Sequence, residues 1–269
     1  MKKKIISIII IAALGIGMGG GGYCFNRLMR HERAQSLQIS NLQGQISLLQ
    51  LKVANHNTWH TSEDGFDYLA IGNSITRHGL CDYWWGEWGM AASTASNDYF
   101  TLVSSSLQKK FEAVNCHRIN FSVWERLAHD RSETWEVLDP YLNENVDLVT
   151  IQLSENALDL ITFKDDLSSL LKHIKVLCPK STIIVVDDFW SDEKSKLKKQ
   201  ACKENNIPFA DLSDIRGKKE YQGRRGTMVM GADGKEHKIE HSGVAIHPGD
   251  EGMKVIAERV LYLQNNTKE

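Results

Sequence analysis

The sequence predicts an α/β fold, a flavodoxin-like three-layer sandwich around a parallel sheet of about five strands, preceded by an N-terminal transmembrane helix. Three observations predict it. From residue 59 onward, short β-branched apolar runs alternate with amphipathic stretches, the pattern of βαβ units whose sheet is covered on both faces. Two of those runs end abruptly in small and polar residues, as strands do where ligands bind at their carboxyl ends. The first 25 residues differ from all that follows, with Lys2, Lys3 and Lys4 ahead of an uncharged segment from Ile5 to Phe25.

That segment reaches about 31 Å as a helix, enough to cross a bilayer core. A cleaved signal peptide competes, but there is no Ala-x-Ala site and only a weak small-x-small match at Gly20 to Gly22. Cys24 raises a lipoprotein reading, against which Tyr23 occupies a position that wants a small residue. An uncleaved anchor over residues 5–25, after a basic start at 1–4, is therefore expected. Arg27, Arg30 and Arg33 balance the lysines, so charge sets no orientation, and the globular part is placed outside the membrane from its expected activity.

Residues 26–58 read as an amphipathic stalk. Ile39, Leu42, Ile46, Leu49 and Val53 step by three and four, a short seam that suits either a dimerising stalk or a helix lying on the domain or membrane.

The remaining chain, 59–269, reads as one domain. Tyr68–Ile71 is a strand; Asp98–Phe111 a helix capped by Asn97; His117–Val123 a strand; Glu133–Leu142 a helix; Val146–Leu153 a buried strand. A helix through FKDDLSSLLKHIKVLC ends before Pro179, STIIVVDDFW is the fourth strand, Asp192–Asn205 a lysine-rich helix, and IPFADLSDI the fifth strand. Asp233-Gly234 marks a hairpin, and a last helix starts at Pro248.

Composition bounds the function. With 269 residues, 42% of them apolar, the chain can bury a sizeable core. A formal net charge of -2 lacks the basic field of a nucleic-acid binder, so small or neutral partners are expected. The five cysteines, at 24, 81, 116, 178 and 202, are scattered and contain no Cys-x-x-Cys. His237 and His241 lie four apart, yet no His-Glu-x-x-His helix accompanies them and no metal is expected.

Three polar segments should meet at one sheet edge: Gly72-Asn73-Ser74 after the first strand, Ser154-Glu155-Asn156 after the third, and His247 before the last helix. A nucleophile, an amide donor and a base are the parts of an acyl-transfer site. The order resembles the SGNH, or GDSL-like, hydrolases: AIGNSIT is similar to their first block, IQLSENAL to their third and AIHPGDEGM to their fifth, over roughly Phe66 to Leu263. The resemblance implies Ser74 as nucleophile, His247 as base, Asn156 and the Ser74 amide as oxyanion donors, and no cofactor.

Two departures stand out. The family's triad acid lies three residues before the histidine, where this chain has Val244, so His247 needs another partner. Glu240, Asp250, Glu125 and Asp188 are candidates, and a backbone carbonyl would serve in a Ser-His dyad. The second block usually offers a glycine amide; here NFSVWER puts Ser122 or Glu125 near that place. The expected activity is that of a serine esterase on short acyl, chiefly O-acetyl, esters of a carbohydrate or cell-envelope glycan. A carbohydrate O-acyltransferase and a non-catalytic glycan-binding module are the alternatives. Trp84, Trp85 and Trp88 read either as an aromatic platform for sugar rings or as a loop packed over the core.

Overall fold

The structure, a computed structural model, describes residues 20–54, 59–62, 64–127 and 131–267, with the backbone alone for 20–26 and 53–54. Its strands are β1 (Phe66–Gly72), β2 (Val114–Asn120), β3 (Val146–Gln152), β4 (Thr182–Val186), β5 (Phe209–Ala210), β6 (Met228–Met230) and β7 (Glu236–Lys238). Its helices are α1 (Gly20–Ala54), α2 (Tyr99–Lys110), α3 (Ser122–Arg126), α4 (Trp135–Leu138), α5 (Phe163–Leu177), α6 (Asp192–Asn205), α7 (Ser242–Ala245) and α8 (Asp250–Asn266). The first five strands form one parallel sheet in the order β2-β1-β3-β4-β5. The chain winds outward from β1 to β2 and then returns to β3 on the other side. A crevice is left beyond the carboxyl ends of β1 and β3.

Strand β1 shows why its run from Tyr68 to Ile71 is apolar without a break. Tyr68 and Ala70 enter the core shared with Val103 of α2 and Ile256 of α8, while Leu69 and Ile71 enter the opposite core with Leu167 and Leu170 of α5. Both faces are buried, so alternation with polar residues is absent. Full burial of each such aliphatic side chain contributes about 1.5–3 kcal/mol, enough to pin the register against a one-residue slip.

Element ends differ from expectation where local chemistry intervenes. Helix α2 is capped by Asp98, whose carboxylate accepts from the Thr101 amide at 2.7 Å, rather than by Asn97. The helix expected over 133–142 is reduced to α4 between two short 3-10 turns, because Pro140 has no N–H to continue it. The fifth strand shrinks to Phe209–Ala210, since the chain turns at Leu212, whose carbonyl accepts from Ile215 and Arg216. Pro248 pairs with Gln222, and α8 starts at Asp250 after Gly249. The β6–β7 hairpin turns through Gly234 at φ +74, a conformation suited to glycine.

Helix α1 is continuous and lies on the domain, as one of the two readings expected, but it packs with a different face from the apolar seam. Ser40, Gly44 and Leu48, four residues apart, are the buried positions, and Gly44 lies so close that an added Cβ would meet Leu127 and Arg126 within 3.2 Å. Small side chains on that face let α1 approach α3, and Lys52 pairs with Glu136 of α4. The seam of Ile39, Leu42, Ile46 and Leu49 faces outward instead, each of them at least half exposed. Residues 1–19 of the expected N-terminal segment lie outside the described residues. Among the described residues no helix is long and apolar enough to cross a membrane. Cys81, Cys116, Cys178 and Cys202 are free thiols, and burial pushes Cys178 up to about 11 and Cys202 up to about 12.

Candidate active site

Ser74 is presented by a turn that Asn73 builds. The Asn73 side-chain oxygen accepts from the Ile75 amide at 3.0 Å, and its carbonyl accepts from Thr76 and Arg77, so the chain leaves β1 in a tight polar corner. Glycine is required just before it, because a Cβ on Gly72 would overlap the Thr76 side chain. Among the described residues the Ser74 amide has no hydrogen-bond acceptor, and its carbonyl receives the Met90 amide at 2.8 Å.

His247 reaches the same corner from the other side of the sheet edge. Its Nε2 accepts from Ser74 Oγ at 2.8 Å, and its Nδ1 donates to the Gly243 carbonyl at 2.7 Å. A carbonyl only accepts, so the proton sits on Nδ1 and the lone pair of Nε2 faces the serine. Burial pushes the imidazole down to about 4, and the neighbouring His78 and His241 act in the same direction. Trp190 stands edge-on to the ring at 4.9 Å and donates to the Ile246 carbonyl at 3.0 Å, bracing the loop.

None of the expected carboxylates holds His247. Asp250 accepts from the Ser93 amide and hydroxyl at 2.8 and 2.6 Å and from Asn97 at 3.0 Å, tying the loop before α2 to the start of α8. Glu240 is exposed beyond β7. Asp188 is buried and accepts from Ser154 Oγ and from the amides of Trp190 and Ser191. Val244, at the position of the family's acid, is fully buried among apolar side chains.

Glu125 also departs from its expected oxyanion role. Helix α3 reaches the cavity through Ser122 and Arg126, whereas the Glu125 carboxylate points inward, 1% exposed. It accepts from Asn73 Nδ2 at 2.9 Å, from the Ser154 and Asn156 amides at 2.5 and 3.3 Å, and from Asn156 Nδ2 at 2.7 Å. One buried carboxylate thus joins the loops after β1 and β3. Glu155 does similar work, accepting from Asn73 Nδ2, Gln152 Nε2 and the Phe189 amide. Burial, and next the Asp188 charge, push its carboxyl up to about 7. Ser154 adopts φ +148, where glycine is favoured, and is held there by Glu125 on its amide and Asp188 on its hydroxyl.

The cavity around Ser74 and His247 measures about 210 Å³, and Asn156, Asn120, Tyr83 and Arg126 also line it. A second cleft of about 390 Å³ shares Arg126 and Asn156 and runs along Ser36, Ser40 and Gln43 of α1. The expected tryptophan platform is absent from this lining. Trp84 is fully buried and Trp88 is 6% exposed in the core, while Trp85 stacks on His237 at 4.5 Å. The aromatic ring beside the site is Tyr83, 40% exposed and stacked on His241 at 4.5 Å. Sequence reasoning missed Tyr83, Arg126 and the inward side chain of Glu125; for Tyr83 the signal was its place beside the tryptophans.

No protein-family model matches the chain, and no curated protein does. Solved structures similar to it include phospholipase A1 from Streptomyces albidoflavus, 12% identical over 74% of this chain and 99% of that one, TM-score 0.49. An acetyl xylan esterase variant from Geobacillus stearothermophilus is 18% identical over 75% of this chain and 95% of that one, TM-score 0.49. An extracellular lipase from Streptomyces rimosus is 14% identical over 73% of this chain and 98% of that one, TM-score 0.47.

Proposed function

We propose that the protein is a serine esterase that hydrolyses short acyl esters, O-acetyl esters foremost, on a carbohydrate or cell-envelope glycan. The observation that carries this reading is the 2.8 Å contact from Ser74 Oγ to His247 Nε2, with the tautomer held by Gly243. Ser74 Oγ attacks the ester carbonyl carbon while its proton passes to His247 Nε2. The oxyanion is received by the Ser74 amide and by the second proton of Asn156 Nδ2, the first being given to Glu125. Collapse breaks the bond to the alcohol, which leaves with the proton from His247. Water then adds to the acyl-enzyme with His247 again as base, releasing the acid and restoring Ser74. Loss of the Asn156 donor is expected to cost about 2.7–4 kcal/mol of transition-state stabilisation.

The same reading places the domain outside the membrane, held by its N-terminal helix, and protease added to intact cells tests it: protection of the domain would sink the placement. A carbohydrate O-acyltransferase is a second reading, favoured by the polar cleft beside α1, which has room for an acceptor hydroxyl next to the acyl donor. The deciding experiment uses the full chain on aryl acetates, with and without a sugar acceptor, beside Ser74→Ala and His247→Ala. Turnover lost in both variants supports the esterase, and acetyl appearing on the sugar supports the transferase. An inert parent, or a Ser74→Ala protein that matches it, refutes both and leaves a glycan-binding module.

A further inference from the structure

We infer that Arg126 anchors a negatively charged group of the substrate, a carboxylate or a phosphate, beside the ester that is cleaved. This rests on the esterase reading for what is cleaved, and on the charge of the site for the rest. The guanidinium lines the cavity of Ser74 and His247, and no aspartate or glutamate is among the described residues lining that cavity. Elsewhere in the domain the half-buried or buried arginines are matched: Arg118 with Asp98, Arg131 with Asp166, Arg216 with Asp187. Arg126 is half-buried too, yet among the described residues no carboxylate pairs with it, and its side chain donates only to Asn156 Oδ1, at 3.3 Å. A cation drawn partly out of water without a counter-charge is unfavourable, and an anion arriving there recovers that cost.

Two carboxylates belong to neighbouring positions, and neither forms an ion pair with Arg126. Glu125 is engaged by Asn73, Ser154 and Asn156, and Glu155, which lines the second cleft, by Asn73, Gln152 and the Phe189 amide. The contact with Asn156 also fixes where the anion sits. Asn156 faces the reacting carbonyl in the proposed mechanism, so a group bound to Arg126 lies at the mouth between the two clefts, on the part of the substrate next to the ester. An acetylated acidic sugar fits this description, and a neutral acetylated sugar leaves the guanidinium unmatched.

The test is binding, kept separate from turnover. The full chain carrying Ser74→Ala is titrated by calorimetry with O-acetylglucose, O-acetylglucuronate and O-acetylglucose 6-phosphate. The two anionic sugars are expected to bind about tenfold or more tightly than the neutral one, with the advantage shrinking as salt is raised. Adding Arg126→Gln should remove the advantage, and Arg126→Lys, which keeps charge without the planar fork, should retain part of it. The carboxylate and phosphate arms identify which anion is preferred. Equal affinity for all three sugars, no measurable binding of any, or an Arg126→Gln change that weakens all three alike would overturn the assignment. If the parent hydrolyses none of them while the anionic preference persists, the anion site stands and the esterase reading falls. If it hydrolyses all three without preference, the reverse holds.

Discussion

The Nδ1–H of His247 donates to the carbonyl of Gly243, four residues earlier in α7, at 2.7 Å. A carbonyl orients the ring as a carboxylate would but brings no full negative charge to stabilise an imidazolium. Burial adds to this, and the imidazole titrates near 4. Protonated His247 cannot take the serine proton, so kcat/KM for a neutral acetate should be lost as pH falls through about 4 and stay level from about 5.5 to 8. A pH–rate profile measures it, and an acid limb near 6.5, the ordinary histidine value, would contradict it.

Stability should respond to pH in two opposed ways. His247 sits below its unfolded value, so its contribution is present above about 6.5 and is lost as pH falls towards 4. Glu155 is raised to about 7, so its contribution is present below about 4.5 and is lost as pH rises through 7. The two slopes oppose each other between about pH 4.5 and 6.5, so urea unfolding should show a broad plateau there with falls on either side, and Glu155→Gln should abolish the alkaline fall.

Asn73 and Glu125 should behave as one unit. Asn73→Asp would face Glu125 and Glu155 with a third carboxylate and no donor, at a cost of about 3–5 kcal/mol. Asn73→Asp with Glu125→Gln should recover at least about 2 kcal/mol of that loss. A double-mutant cycle by chemical denaturation checks the coupling, and additive effects would deny it.

Tyr83 and Trp84 are neighbours with different expected phenotypes. Trp84→Ala should lower stability by about 3–5 kcal/mol, as large core deletions do, and show chiefly as a fall in Tm. Tyr83→Ala should leave Tm nearly unchanged and raise KM for an acetylated sugar by about two- to tenfold, through loss of a stacking face.

Gly44→Leu should lift α1 from α3, because its side chain has no room against Leu127 and Arg126. Faster hydrogen exchange over residues 36–48 and quicker tryptic cleavage after Lys52 would report the release. Unchanged exchange would mean that the contact is not what holds the helix.

The sheet was legible because β1, β3 and β4 are buried on both faces, and an apolar run ending in Gly-Asn-Ser or Ser-Glu-Asn reads the same in sequence and space. The meeting of Ser74 with His247 followed from where those runs stop. The partner of His247 did not, since a backbone carbonyl has no residue type to betray it and Gly243 looks like any loop glycine. The direction of a side chain was equally hidden: Glu125 turns inward, and Trp84 and Trp88 point to the core although their loop borders the site. For α1 the apolar stripe drew attention, while the face that packs is carried by Ser40 and Gly44, small residues whose value is closeness and not hydrophobicity.

Because α1 is seated on α3, the next helix after β2, the site has a set reach. From Gly20 to the contact at Gly44 the helix rises about 36 Å. A flexible tether would let the serine sample every distance from whatever holds the amino-terminal end, but a seated rod presents it at one height. On the proposed function, and with the amino-terminal end held, esters at that height would be served and those nearer or farther would be out of range.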